Sequence, residues 1–174
     1  RIDHLDADPA HLLLHIAAAV DTVSGLDPEA LRYLRGPGRP ALTHALPTLI
    51  RALETCGPLV VLLDDLQELT ASAAVDALRA FIDAAPATLT IVALGRGAPP
   101  VDLGRRRLQR MLIELDSGYL KFSRAEALAV LDAVGAGVPV EVASSIVDRC
   151  EGWPAGVVLA AMALRDGADA ENFT

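Results

Sequence analysis

Residues 56–69 read CGPLVVLLDDLQEL. Five aliphatic side chains in a row, Leu59 to Leu63, are bounded by Gly57–Pro58 on one side and by Asp64–Asp65 on the other. A short, unbroken apolar run that contains β-branched residues and stops at turn residues has the pattern of a strand buried on both faces, as in a parallel sheet. A core strand gains nothing from two adjacent carboxylates, which repel each other. The pair therefore either caps a local turn or meets a cation.

Working outward from that strand, the next segments alternate between helix and strand patterns. Ser72–Ala84 places Val75, Leu78, Phe81 and Ile82 at helical spacing, and LTIVAL (Leu89–Leu94) is a second buried strand that ends at Gly95–Arg96. MLIEL (Met111–Leu115) reads as a third strand. Strand, helix and strand with crossovers of this size predict right-handed βαβ units and an α/β layer structure. Upstream, Arg1–Asp6 alternates polar and apolar residues like a short strand. Asp8–Pro9 and Asp27–Pro28 are N-cap and N1 pairs that open helices running to about Gly25 and Leu34. Gly36–Pro40 (GPGRP) predicts a loop, and Ala41–Cys56 returns to helical spacing, with Pro47 marking a kink or the true start.

The texture changes after Phe122. Ser123 with Glu126 forms a capping-box signature, Val142, Ile146 and Cys150 recur four apart, and WPAGVVLAAMALRDG makes a third apolar helix. The spacing predicts a division into residues 1–122, a partial α/β core, and residues 123–174, the start of a helical subdomain.

Composition narrows the function classes. The chain has 174 residues and a net charge of −8; hydrophobic residues make up 52% and aromatic residues only 3%. A domain that gripped nucleic acid unaided would carry a basic face, and base stacking needs rings, so direct nucleic-acid contact is not expected. The basic run GRRRLQR (Gly104–Arg110) is read as the solvated face of a short helix. No apolar stretch is long enough to span a membrane, and the expected location is the cytoplasm. Cys56 and Cys150 lack metal-site spacing and are expected to be reduced thiols. His11 and His15 share a helix face, but HLLLH lacks the glutamate of H-E-x-x-H and no third ligand is in view. There is no nucleophile elbow for Ser-His-Asp chemistry. The chain opens with Arg1 and is expected to be a piece of a longer protein.

At the carboxyl edge of a parallel sheet, one aspartate can hold Mg²⁺ and the other can polarise a water, the Walker-B pattern of P-loop nucleotidases. Arg96, one strand over, is placed to reach a γ-phosphate, although a surface arginine would look the same. Gly152-Trp153-Pro154 would make a rigid apolar corner suited to a flat ring; the alternative is a helix-start proline beside a core tryptophan.

In order along the chain, LVVLLDDLQEL, LTIVALGRGAPPVDLGRRRLQRMLIEL, LDSGYLKFSRAEALAVL and DRCEGWPAGVVLAAMALRD, preceded by RIDHLDADPAHLLLHIAAAV, resemble the nucleotide-binding region of the MalT/LuxR-type regulators, a STAND branch of the AAA-related P-loop ATPases. The resemblance implies a P-loop NTPase-like core followed by a helical lid, switched by ATP and ADP with Mg²⁺. Carried over by position, Asp64 would coordinate Mg²⁺ through water, Asp65 would prime the hydrolytic water, Arg96 would sense the γ-phosphate, and Gly152, Trp153 and Pro154 would line adenine. It further implies self-association of the full-length protein and promoter binding through a C-terminal helix-turn-helix domain outside this chain. Departures are clear: Gln67 stands near a position where the family has histidine or another polar residue, and Gly95 stands where a small hydroxyl often precedes the sensor arginine. No G-x-x-x-x-G-K-[ST] occurs, and the single lysine, Lys121, is followed by Phe122. The first strand and P-loop are thus expected upstream of Arg1, and the chain alone is expected to bind nucleotide weakly or not at all. Two further possibilities stay open: a nucleotide-free scaffold or oligomerisation module, and the same switch fused to another effector such as a protein kinase or cyclase.

Overall fold

The computed structural model describes residues 1–36, 40–135, 137 and 139–168, so part of the expected Gly36–Pro40 loop lies outside the described residues. The chain divides into two compact units, Arg1–Gln109 and Arg110–Thr174, each with its own apolar core.

In the first unit, α1 (Pro9–Ser24) starts where the sequence says it should. The Asp8 carboxylate accepts the His11 N–H at 2.8 Å, Pro9 occupies the first turn, and Gly25, at φ 65°, ends the helix. Its stripe Leu12, Leu13, Ile16, Ala17 and Val20 is buried. Asp27 caps α2 (Pro28–Leu34) in the same way. Ala41–Ala45 is π-helical and runs into α3 (Leu46–Glu54) through Ala45 and Leu46, both right-handed helical, so Pro47, which has no N–H to donate, sits just past a local distortion of one longer helical stretch.

The strands β1 (Leu59–Leu63) and β2 (Leu89–Ala93) are parallel, in the register Leu59↔Leu89 to Leu63↔Ala93, and α4 (Ser72–Ala84) connects them. α4 buries Ala74, Ala77, Leu78, Phe81 and Ile82 and packs on α1. Phe81 is fully buried, and a side chain of that size contributes about 1.5–3 kcal/mol of transfer free energy.

Three expectations about strands are corrected. β1 is covered on one face only: Val61 and Leu63 enter the core, whereas Val60 and Leu62 are 68% and 55% exposed. The five-residue apolar run reflects burial on one side and an open apolar surface on the other. Met111–Leu115 is not a strand in the described residues; Met111, Ile113 and Leu115 are all exposed. Strand-like composition needs a ladder partner before it becomes a strand. Arg1–Asp6 also departs from its pattern. Only Ile2 bonds a strand end, its N–H donating to the Asp64 carbonyl at 2.8 Å. The chain then turns through a 3₁₀ helix, His4–Ala7, which Asp3 and Asp6 cap reciprocally.

The second unit is helical throughout its described elements: α5 belongs to the first unit (Gly104–Leu108), and α6 (Ser117–Leu120), α7 (Arg124–Ala133), α8 (Val140–Cys150) and α9 (Pro154–Arg165) follow. The Ser123 hydroxyl and Glu126 carboxylate close the predicted capping box at the start of α7, and that hydrogen bonding holds the Glu126 carboxyl below its usual range. The core is Leu131, Ile146, Val147, Val157 and Leu164 with several alanines, a small-residue set that lets the helices approach closely. At Gly156 an added Cβ would lie 3.1 Å from the Cys150 sulfur.

Candidate functional site at the ends of the parallel strands

The carboxyl ends of β1 and β2 are stitched by backbone bonds beyond the regular ladder. Leu94 N–H donates to the Leu63 carbonyl at 2.8 Å, and Leu66 N–H donates to the Leu94 carbonyl at 3.0 Å. Between Leu63 and Leu66 the chain reverses through Asp64 and Asp65. Asp65 adopts the left-handed conformation, φ 58° and ψ 43°, which aspartate tolerates better than most non-glycine residues.

The two carboxylates do different work. The Asp64 side chain accepts the Asp65 N–H at 2.9 Å, which is local turn capping. Its second oxygen has no hydrogen-bond partner among the described residues. Asp65 meets a cation, and that cation belongs to the chain: the Arg1 guanidinium is ion-paired with it. The other Asp65 oxygen accepts the Gln67 side-chain amide at 2.9 Å. Gln67 and then Arg1 hold the Asp65 carboxyl below the usual carboxylate range, outweighing a modest desolvation, with a smaller pull from Arg96. Both answers to the question of the paired aspartates are therefore present, one on each residue.

Arg96 lies at the end of β2, as its position in sequence required. Its backbone N–H donates to the Gln67 side-chain oxygen at 3.0 Å, while its exposed guanidinium makes no hydrogen bond or close ion pair among the described residues and acts on Asp65 only through its charge. Gly95 is closely packed: a Cβ there would sit 3.3 Å from both the Gln67 oxygen and the Leu66 Cβ. The structure thus brings Asp64, Asp65 and Arg96 to one strand edge and adds Gln67 and Arg1.

Gly152, Trp153 and Pro154 belong to the second unit. Glu151 and Gly152 are both left-handed, at φ 49° and 75°, and Pro154 opens α9. Gly152 is buried against the Phe122 backbone and the Lys121 Cβ. Its carbonyl accepts the Phe122 N–H at 2.8 Å, and a Cβ on it would fall 2.6 Å from the Phe122 carbonyl oxygen. Trp153 is 50% exposed, so it is not the core tryptophan of the alternative reading.

Other features stand apart from the strand edge. Arg106 lays its guanidinium on the Ile82 carbonyl at the end of α4, next to Asp83, whereas Arg105 and Arg107 are exposed. A cleft of about 880 Å³ is lined by residues of α2, α3 and the Ala41–Ala45 stretch before α3, including Tyr33, His44, Thr48 and Arg51, none of which the sequence singled out for the site. Sequence reading also missed Asp6. Its fully buried carboxylate accepts hydrogen bonds from His15 Nδ1 at 3.0 Å and His11 Nδ1 at 3.3 Å, and from the Asp3 N–H at 2.9 Å. The signal was available, since two histidines on one face need a reason and an acidic residue stands just upstream. No group of three or more metal-ligating side chains occurs among the described residues, and both cysteines are free.

A parallel β-α-β unit with an acidic turn and a cationic turn side by side at its carboxyl edge defines an α/β domain with its polar chemistry where such sheets bind ligands. No protein-family model matches the chain. It is 29% identical, over 94% of its length, to the HTH-type transcriptional regulator MalT of Yersinia enterocolitica, and 26% identical to that of Serratia proteamaculans. It is 30% identical, over 99% of its length, to the serine/threonine-protein kinase PknK of Mycobacterium tuberculosis. The chain spans only 18% and 16% of the lengths of the first of these regulators and of the kinase. It is thus similar to one region shared by MalT-type regulators and a protein kinase. No described helix is long and apolar enough to cross a membrane.

Proposed function

We propose that this chain is the nucleotide-responsive switch region of a MalT-type transcriptional regulator, part of an ATPase core followed by the start of a helical lid. The observation that supports it best is the strand edge: an acidic pair and an exposed arginine at the ends of adjacent parallel strands, in a chain similar over nearly all its length to MalT.

In this reading Asp64, with its free carboxylate oxygen, holds Mg²⁺ through water, and Arg96 reports the γ-phosphate. Asp65 orients the water at that edge, and Gly152, Trp153 and Pro154 line adenine. Bound Mg²⁺ supplies charge neutralisation for phosphate oxygens. The donor set fits a hard cation at Asp64; Asp65, already shared by Gln67 and Arg1, is better suited to orienting than to ligating. The phosphate-cradling loop, absent from these 174 residues, is assigned to a segment outside them. Promoter DNA is contacted by a separate helix-turn-helix domain, and ATP drives self-association of the whole protein.

A second reading keeps the switch and changes the effector, motivated by the similarity to a protein named as a kinase. The full reading frame separates the two: a helix-turn-helix domain downstream supports the regulator, and a kinase domain supports the second reading. Thermal melting of the full-frame protein tests the switch itself. The reading expects ATP and ADP to raise the melting temperature, with the ATP shift reduced in Asp64→Ala. Identical melting with and without nucleotide would leave a nucleotide-free scaffold in its place.

A further inference from the structure

The backbone ladder between the two strand ends stops at Leu66 N–H to Leu94 O, and the next connection is made by a side chain. The half-buried Gln67 carboxamide donates its N–H to the Asp65 carboxylate at 2.9 Å and accepts the Arg96 backbone N–H at 3.0 Å on its oxygen. A carboxamide does both at once from separate atoms, whereas a carboxylate only accepts and an ammonium only donates. Its polarity is fixed from both ends, because the carboxylate requires a donor and the backbone N–H requires an acceptor. Gly95 leaves room for the group: with any larger residue there, a Cβ 3.3 Å from the Gln67 oxygen would press on the contact.

We infer that Gln67 is a positioning residue that transmits the state of the Asp65 carboxylate to the Arg96 turn. Donating to an ionised acceptor polarises the carboxamide and strengthens the bond that its oxygen makes to Arg96 N–H. Anything that draws the Asp65 carboxylate away from Gln67 weakens that pull and loosens the turn that carries the Arg96 guanidinium. The inference takes its functional meaning from the nucleotide reading above, while its physical content stands on three residues within one unit.

The test uses the 174-residue chain without nucleotide, so failure of the nucleotide reading and failure of the link give different results. The Arg96 amide resonance and its solvent-exchange rate are followed by NMR. In the parent chain, Asp65→Asn, which keeps a residue tolerant of the left-handed turn, is expected to move the Arg96 amide resonance. In a Gln67→Met background the same substitution is expected to leave it in place. Arg96 amide exchange should rise about fivefold in Gln67→Met, from the loss of one hydrogen bond. Gln67→Glu separates the two contacts: it retains an acceptor for Arg96 and removes the donor to Asp65, so Arg96 amide exchange stays slower than in Gln67→Met. An Arg96 resonance that shifts equally with and without Gln67, or that ignores Asp65→Asn in the parent chain, overturns the inference. The Leu66–Leu94 backbone bond is untouched by these variants, and unchanged resonances elsewhere in β1 and β2 verify that the fold is kept.

Discussion

Replacing Gly152 with alanine should unfold the second unit at markedly lower denaturant. Two costs add. An L-residue in the left-handed region at φ 75° costs about 1–2 kcal/mol. The new Cβ would lie 2.6 Å from the Phe122 carbonyl oxygen, a backbone atom that cannot swing aside, and relieving such a clash costs about 1–3 kcal/mol. Against these, alanine reduces the freedom of the unfolded chain by about 0.4–1 kcal/mol. The net expectation is a loss of about 2–4 kcal/mol, a large part of the stability of a small domain. The chain has one tryptophan, Trp153, which is the neighbouring residue, so urea unfolding followed by intrinsic fluorescence reads this unit directly. Glu151→Gly is the matched control: Glu151 is also left-handed, at φ 49°, and glycine there should leave stability unchanged or raise it by up to about 1 kcal/mol. A Gly152→Ala midpoint equal to that of the parent chain would refute the reasoning.

Adjacent residues of β1 should respond very unequally in the isolated chain: Leu63→Ala is expected to cost about 2–5 kcal/mol by urea unfolding, whereas the exposed Leu62→Ala should cost well under 1 kcal/mol. Phe81→Ala, in the α4 core, should cost about 3–5 kcal/mol, read as a fall in the thermal midpoint of the first unit. Burial acts to raise the Asp6 carboxyl, but the Asp3 N–H, His15 and His11 together pull it below its ordinary value. A carboxyl depressed in the folded state stabilises at pH above its unfolded value, and that contribution is lost as pH falls through the folded one. Asp6→Asn should therefore flatten the acid limb of a stability–pH curve below about pH 4, and an unchanged limb would count against the Asp6 cluster.

Much of the first unit was legible because its signals are local. Asp8–Pro9 and Asp27–Pro28 fix helix starts through one side-chain cap and one pre-set dihedral, and the α4 pattern matched its Ser72–Ala84 span. What failed was non-local. Val60 and Leu62 look as apolar as Val61 and Leu63, and only the neighbours that cover one face distinguish them. Met111–Leu115 has strand composition but no strand pairing in the described residues, and Arg1–Asp6 gave up alternation for the Asp3–Asp6 capping box. At the strand edge, the positions of Asp64, Asp65 and Arg96 followed from their order along the chain. The Arg1 ion pair and the Gln67 bridge span 64 and 29 residues of sequence, and no spacing rule reaches that far. The half-exposed Trp153 was similarly invisible, since a Gly-Trp-Pro corner reads the same whichever way its ring faces.

The claim that this strand edge serves a nucleotide is tested most directly by calorimetry of ATP binding to the full-frame protein, with and without Mg²⁺, alongside Asp64→Ala. The account predicts measurable ATP binding that Mg²⁺ strengthens in the parent protein, and a variant that binds ATP with the Mg²⁺ dependence removed. Binding that is absent, or that responds to Mg²⁺ equally with and without Asp64, would contradict it.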